Sequence, residues 1–127
     1  MIRRLPEGIS REHIAESSRN DCDELAWRYP TVLVVVKAVA AQGYAILGGD
    51  VMAWDQKSSR LSYNGGEIYL GNWSVNQMGE ESWAEYVAAS VAETQRYVEA
   101  YVRRNDDTYW FVPSFINEAG YWTLPRH

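Results

Sequence analysis

A chain of 127 residues, 46% of them hydrophobic, has the size of one domain and can bury a core without a metal or disulfide staple. Twelve Lys and Arg against seventeen Asp and Glu give a net charge of -5, which argues against a nucleic-acid binder and suits either a basic partner or plain solubility. The single cysteine, Cys22, excludes an internal disulfide and a cysteine-rich zinc site, and no apolar stretch reaches the roughly 20 residues that span a bilayer.

Met1-Ile2-Arg3-Arg4-Leu5-Pro6 carries two positive charges with no apolar run behind them, so it does not read as a signal peptide, and a cytoplasmic protein is expected. Residues 1–9 read as an irregular lead-in. Ser10 as N-cap, Glu12 in the first turn, and Ile9 with Ile14 as a hydrophobic staple predict a short helix from Arg11 to Ser18. Ser17 to Asp21 reads as a loop. Asp21 to Tyr29 sets Leu25, Ala26 and Tyr29 on one helical side, which suggests a second helix that Pro30 interrupts. Pro30 fits the first position of a new helix, and Gly43 fits the residue just past the end of the run Thr31 to Gln42. The valines of that run favour a strand. Its length, alanine-rich second half and Pro-start, Gly-stop punctuation favour a buried helix, which is the reading adopted, with Lys37 reaching to water.

Tyr44 to Leu47 and Val51 to Trp54 read as two short strand pieces around Gly48-Gly49-Asp50. Two adjacent glycines inside a strand pattern mark a bulge, a bend or another backbone passing close by, and Asp50 can accept from donors that the break leaves free. Asp55 to Ser59 is a polar turn. Arg60 to Tyr63 and Glu67 to Leu70 flank Asn64-Gly65-Gly66, a hairpin signal, and Gly71-Asn72-Trp73 is expected to lead out of the sheet. Ser82 and Glu85 form a capping box, and Trp83, Tyr86, Val87, Val91, Thr94, Val98, Tyr101 and Val102 recur at steps of three and four. They predict an amphipathic helix of about 22 residues with Glu85, Glu93, Arg96, Glu99 and Arg103 on its wet side. Tyr109 to Val112 reads as the last strand, placed at a sheet edge or at its end by Pro113, with Ser114 to Ile116 able to extend it. Asn117 to His127 is a tail whose Tyr121 and Trp122 fold back on the body. Together these give one α+β domain over 1–127, a small antiparallel sheet of about four strands on two or three helices.

The chemistry is sparse. There is no phosphate-cradling glycine loop and no G-x-S-x-G elbow, and the two histidines, His13 and His127, have no ligand spacing. No metal, cofactor or catalytic residue is therefore assigned. Asp50, Asp55 and Glu67 could in principle work as paired carboxylates beside the glycine pair. The plainer reading has Asp50 stabilising the bend, Asp55 starting a turn and Glu67 facing water. Trp54, Tyr63, Tyr69 and Trp73 lie in or beside the meander, and strand alternation would send some of them to a face that helices leave open. An aromatic face rimmed by Asp50, Asp55, Glu67 and Asn72 would suit a protein partner; the alternative is that all four aromatics are core.

The strand-Gly48-Gly49-Asp50-Val51 segment, the Asn72-Trp73 pair, and the long helix with Tyr86, Ser90, Ala92, Tyr97 and Tyr101 before an aromatic strand resemble the immunity protein 40 family of bacterial polymorphic toxin systems. The resemblance runs from about Glu24 to Ile116. The Asn64-Gly65-Gly66 hairpin is longer than the family pattern. The resemblance implies a small cytoplasmic α+β protein, without enzyme activity, that binds and neutralises a cognate toxin. Asp50, Trp54, Asp55, Glu67, Tyr69 and Trp73 are the candidate contacts. Two other readings are a small-molecule or hydrolytic pocket beside Gly48-Gly49-Asp50, and a homo-oligomer pairing through Tyr109 to Val112.

Overall fold

The computed structural model describes residues 5–20, 22–62 and 70–124. In chain order the elements are α1 (Arg11–Ala15), β1 (Ser18–Arg19), β2 (Leu25–Arg28), α2 (Thr31–Ala40), β3 (Ala45–Asp55), β4 (Arg60–Ser62), β5 (Asn72–Ser74), α3 (Trp83–Arg104), β6 (Trp110–Ile116) and α4 (Glu118–Tyr121). The architecture is α+β. Six antiparallel-paired strands run in the order β1-β2-β6-β3-β4, with β5 also paired to β3.

α2 and α3 cover one face of this sheet. Val51 and Trp27 both stand opposite Phe111 in register, so all three point the same way, into a cluster with Val32, Val35, Val36, Val39, Ile46, Trp73 and Val98. The valine-rich run is indeed a helix. Val32, Val35, Val36 and Val39 fall at helical spacing and are fully buried, and burial outweighs the modest cost of β-branching. Lys37 is exposed as expected, and Val34 is left half in water at 54% exposure. α3 begins as its sequence indicates: Ser82 Oγ accepts from the Glu85 N–H, and the Glu85 carboxylate accepts from the Ser82 N–H.

The other face carries a smaller cluster of Ala26, Met52, Leu61 and Val112. It is dry because the sheet curls: Asn20, just past β1, forms a parallel bridge with Leu61 of β4, bringing the two ends of the strand order together. That curl explains the largest correction. Leu25–Arg28 is a strand and not part of a helix. Leu25, Ala26 and Trp27 are all buried because both sides of the sheet are covered there, so the alternation that marks a half-buried strand is missing.

Other boundaries move for local reasons. Ser10 caps α1, accepting from the His13 N–H, but the helix stops at Ala15 and Ser18–Arg19 joins the sheet. The pieces around Gly48-Gly49 are one continuous strand, with a register shift between Ile46 and Gly48. Asn72 to Ser74 pairs with β3 and does not leave the sheet. β6 is interior over Trp110 and Phe111, flanked by β2 and β3, so Tyr109 to Val112 offers no free edge to a second copy. Pro113 lies just beyond the last β2 pair. The tail folds back as expected, with Tyr121 buried against Trp83 and Tyr86. The expected Asn64-Gly65-Gly66 hairpin lies outside the described residues.

Candidate partner-binding surface

The two most specific sequence signals are neighbours in space. Gly48 stands opposite Ser74, Gly49 opposite Trp73, and Asp50 opposite Asn72. The glycines are required by closeness. A Cβ on Gly48 would lie 2.1 Å from the Trp73 carbonyl oxygen, and one on Gly49 would lie 2.3 Å from the Trp73 ring and 2.5 Å from the Val112 carbonyl oxygen. Gly48 also has φ of 148°, which side chains rarely adopt. The bulge leaves the Ile46 N–H outside the ladder, and buried Ser90 Oγ accepts it at 3.0 Å while donating to the Val87 carbonyl. The glycine pair is thus a docking seam for the Trp73 indole, whose Nε1–H donates to Thr94 Oγ1 at 3.1 Å.

Strand alternation then divides the motif between two faces. Gly49 and Trp73 point to the helices. Asp50 and Asn72 point the other way, and opposite Gly48 on β6 so does Ser114. Asn72, Ser74 and Ser114 are exposed and Asp50 is partly exposed, so this end of the sheet shows water a flat polar face of small side chains. Burial, and secondarily the charge of Glu24, push the Asp50 carboxyl above its ordinary value. Glu24 is fixed by Asn20, which the sequence reading left in a loop. Asn20 Oδ1 accepts from the Cys22 and Glu24 N–H groups, and its Nδ2 donates to Glu24 Oε1 and Met52 Sδ. Glu24 carries no motif; only the fold brings its charge to bear on Asp50.

The remaining candidates separate. Trp54 is 51% exposed and shares the face of Asp50, but fully buried Met52 lies between them, so the two are roughly 13 Å apart along the strand. Asp55 does what its turn requires. Its carboxylate accepts from the Ser58 hydroxyl and the Lys57 N–H, and these bonds hold its pKa below the ordinary range. Trp73 is 7% exposed and packs in the core, where it lies beneath the surface that Asn72 presents. The Asn-Trp pair splits by alternation: its asparagine is outward and its tryptophan inward. Glu67 and Tyr69 lie outside the described residues, as does Tyr63.

The interior behind Gly48-Gly49 is filled by the Trp73 ring, which leaves no room for the pocket considered there. Among the described residues no group of three or more His, Cys, Asp or Glu side chains could hold a metal ion, and no helix is long and apolar enough to cross a membrane.

The family model of immunity protein 40 matches residues 17–115, well over half of the chain. The chain belongs to the immunity protein 40 family. The matched stretch starts beside β1 and ends within β6, so it takes in all of the curled sheet but Ile116, together with α2 and α3. Membership supports an immunity role, and an immunity protein implies a toxin partner in general. No curated protein and no solved structure matches the chain.

Proposed function

We propose that this member of the immunity protein 40 family binds a cognate toxin effector and neutralises it by occlusion, in the cytoplasm of the cell that makes it. Membership of the family supports the role in outline. The observation that carries the surface is the split of the motif between two faces. Gly48, Gly49 and Trp73 are taken up by packing, whereas Asp50 and Asn72 stand opposite each other on the open face and satisfy no need of the core. Asp50, with Glu24 beside it, is the centre of the contact surface; Trp54 and Asp55, further along β3, are its outer contacts. Glu67 and Tyr69 remain candidate contacts on sequence grounds.

The chemistry fits a partner with a basic face. The Asp50 carboxylate is partly desolvated and feels the negative charge of Glu24, so a Lys or Arg that meets it gains more than it would on a fully solvated acid. The net charge of -5 would also speed the encounter with a basic toxin. Co-expression with the product of the adjacent upstream gene tests the reading. The expected result is growth arrest by that product alone and rescue by this chain. A product that is harmless alone, or toxic without rescue, would sink it.

A further inference from the structure

Three tyrosines of α3 act on one short strand. The Tyr101 hydroxyl donates to the Leu70 carbonyl at 2.8 Å, just ahead of β5, and the Tyr86 hydroxyl donates to the Asn76 carbonyl at 2.9 Å, just past it. Between them the Tyr97 ring stacks on Trp73, with ring centroids 5.1 Å apart. A three-residue strand held by a helix at both ends and in the middle is fixed in place before any partner arrives.

The backbone groups of β5 divide between two directions. The Val51 N–H donates to the Gly71 carbonyl at 3.0 Å and the Val75 N–H to the Leu47 carbonyl at 2.9 Å, so Gly71, Trp73 and Val75 turn their backbone groups towards β3. Asn72 and Ser74 stand opposite Asp50 and Gly48 in the alternate pairs, and their N–H and C=O groups point away from β3. Among the described residues no strand pairs with β5 on that outer side, and none of these four groups has a hydrogen-bond partner. Both residues are exposed. The edge carries neither a charge nor a proline, two common guards against an added strand.

We propose that an extended segment of the toxin adds to β5 as a further strand, with a Lys or Arg opposite Asn72. Such a strand bonds to the N–H and carbonyl of Asn72 and of Ser74. Its residue opposite Asn72 projects to the open face that Asp50 shares. Asp50 then lies two strand spacings away, about 10 Å, which a Lys or Arg side chain spans. A second copy would bring its own net charge of -5 and another Asp50 to the same place, which favours a basic partner over self-pairing. The proposal rests on the toxin-binding reading and names the mode of engagement.

Amide hydrogen exchange followed by NMR tests it, on the chain alone and in complex with the adjacent gene product. In the free chain the Asn72 and Ser74 amides should exchange far faster than those of Trp73 and Val75. In the complex they should slow by about tenfold or more. Ser74→Pro removes an N–H that the fold does not use, so the far-ultraviolet spectrum should match the parent while the complex weakens by about tenfold or more. Ser74→Ala keeps the backbone groups and should bind within about twofold of the parent. Asp50→Asn should weaken the complex and flatten its salt dependence; equal affinity would overturn the pairing of a base with Asp50. A rescuing complex in which both amides exchange as in the free chain overturns the proposal and leaves toxin binding intact, a comparison that needs no variant. So does a folded Ser74→Pro that binds as the parent does. Protection in the chain alone, growing with its concentration, would assign the edge to a second copy and also overturn it. If no complex and no rescue are found, both readings fall.

Discussion

Gly49→Ala is the sharpest probe of the seam between β3 and β5. The added methyl would sit 2.3 Å from Trp73 Cη2, 2.7 Å from Cζ2 and 2.5 Å from the Val112 carbonyl oxygen, where ordinary contact is 3.4–4 Å. Something must move by more than an ångström in a region packed on both sides. Overpacking of this kind costs about 1–3 kcal/mol, and the upper end is expected because one of the obstacles is backbone. Trp73→Phe shortens the ring at the colliding end and also gives up the indole bond to Thr94. Alone it should cost roughly 1–3 kcal/mol. Combined with Gly49→Ala it should cost less than the sum, by about 1–2 kcal/mol, since the ring collision is gone. Gly48→Ala is the control. Its methyl would meet the Trp73 carbonyl oxygen at 2.1 Å, which no change of the Trp73 side chain relieves, so its cost should simply add. Urea unfolding followed by far-ultraviolet circular dichroism measures all five variants. Gly49→Ala within about 0.5 kcal/mol of the parent, or equal relief for both glycines, would refute the seam.

Three further outcomes follow from single contacts. Ser90→Ala leaves the buried Ile46 N–H without its acceptor and should lower stability by about 1–3 kcal/mol in the same urea assay. Asp50→Asn should stabilise the chain at neutral pH. The folded state raises this carboxyl above its ordinary 3.8, so its charge opposes folding above the raised value and costs nothing once protonated below 3.8. The gain should therefore appear as pH rises through that interval, and a thermal melt at pH 3 should show none. Glu85 behaves oppositely. The Ser82 N–H, and then its hydroxyl, hold Glu85 below its ordinary 4.5, so its contribution is present above 4.5 and lost as pH falls through the lowered value. Glu85→Gln should flatten the acid limb of the stability profile over that range, read from melting temperature against pH.

The sequence revealed most where local chemistry decides the structure. The capping box, the Ser10 cap and the helical spacing of Val32, Val35, Val36 and Val39 are local signals, and the structure follows them. It revealed least where distant strands decide. Leu25, Ala26 and Trp27 are buried on both faces only because Asn20 meets Leu61, a contact that no window around β2 contains. Trp73 and Asn72 differ in exposure because one β5 residue points to each face, which is legible only once β5 is known to be a strand. The same holds for the candidate surface. Asp50 was visible as the polar residue after a glycine pair. The influence of Glu24 on it was not, since the turn at Asp23 and the Asn20 side chain set where Glu24 lies. The register between Gly48-Gly49-Asp50 and Asn72-Trp73-Ser74 gives a physical reason for two separate pieces of a family motif: each glycine is small because a residue of the other piece lies against it.

The most direct test is the association rate of the adjacent gene product with the purified chain and with Asp50→Lys, whose far-ultraviolet spectrum should match the parent. Charge reversal at the centre of the open face should slow association and weaken binding by about tenfold or more, with the loss shrinking as salt is raised. Unchanged rate and affinity would contradict the assignment of Asp50 and its face to the toxin.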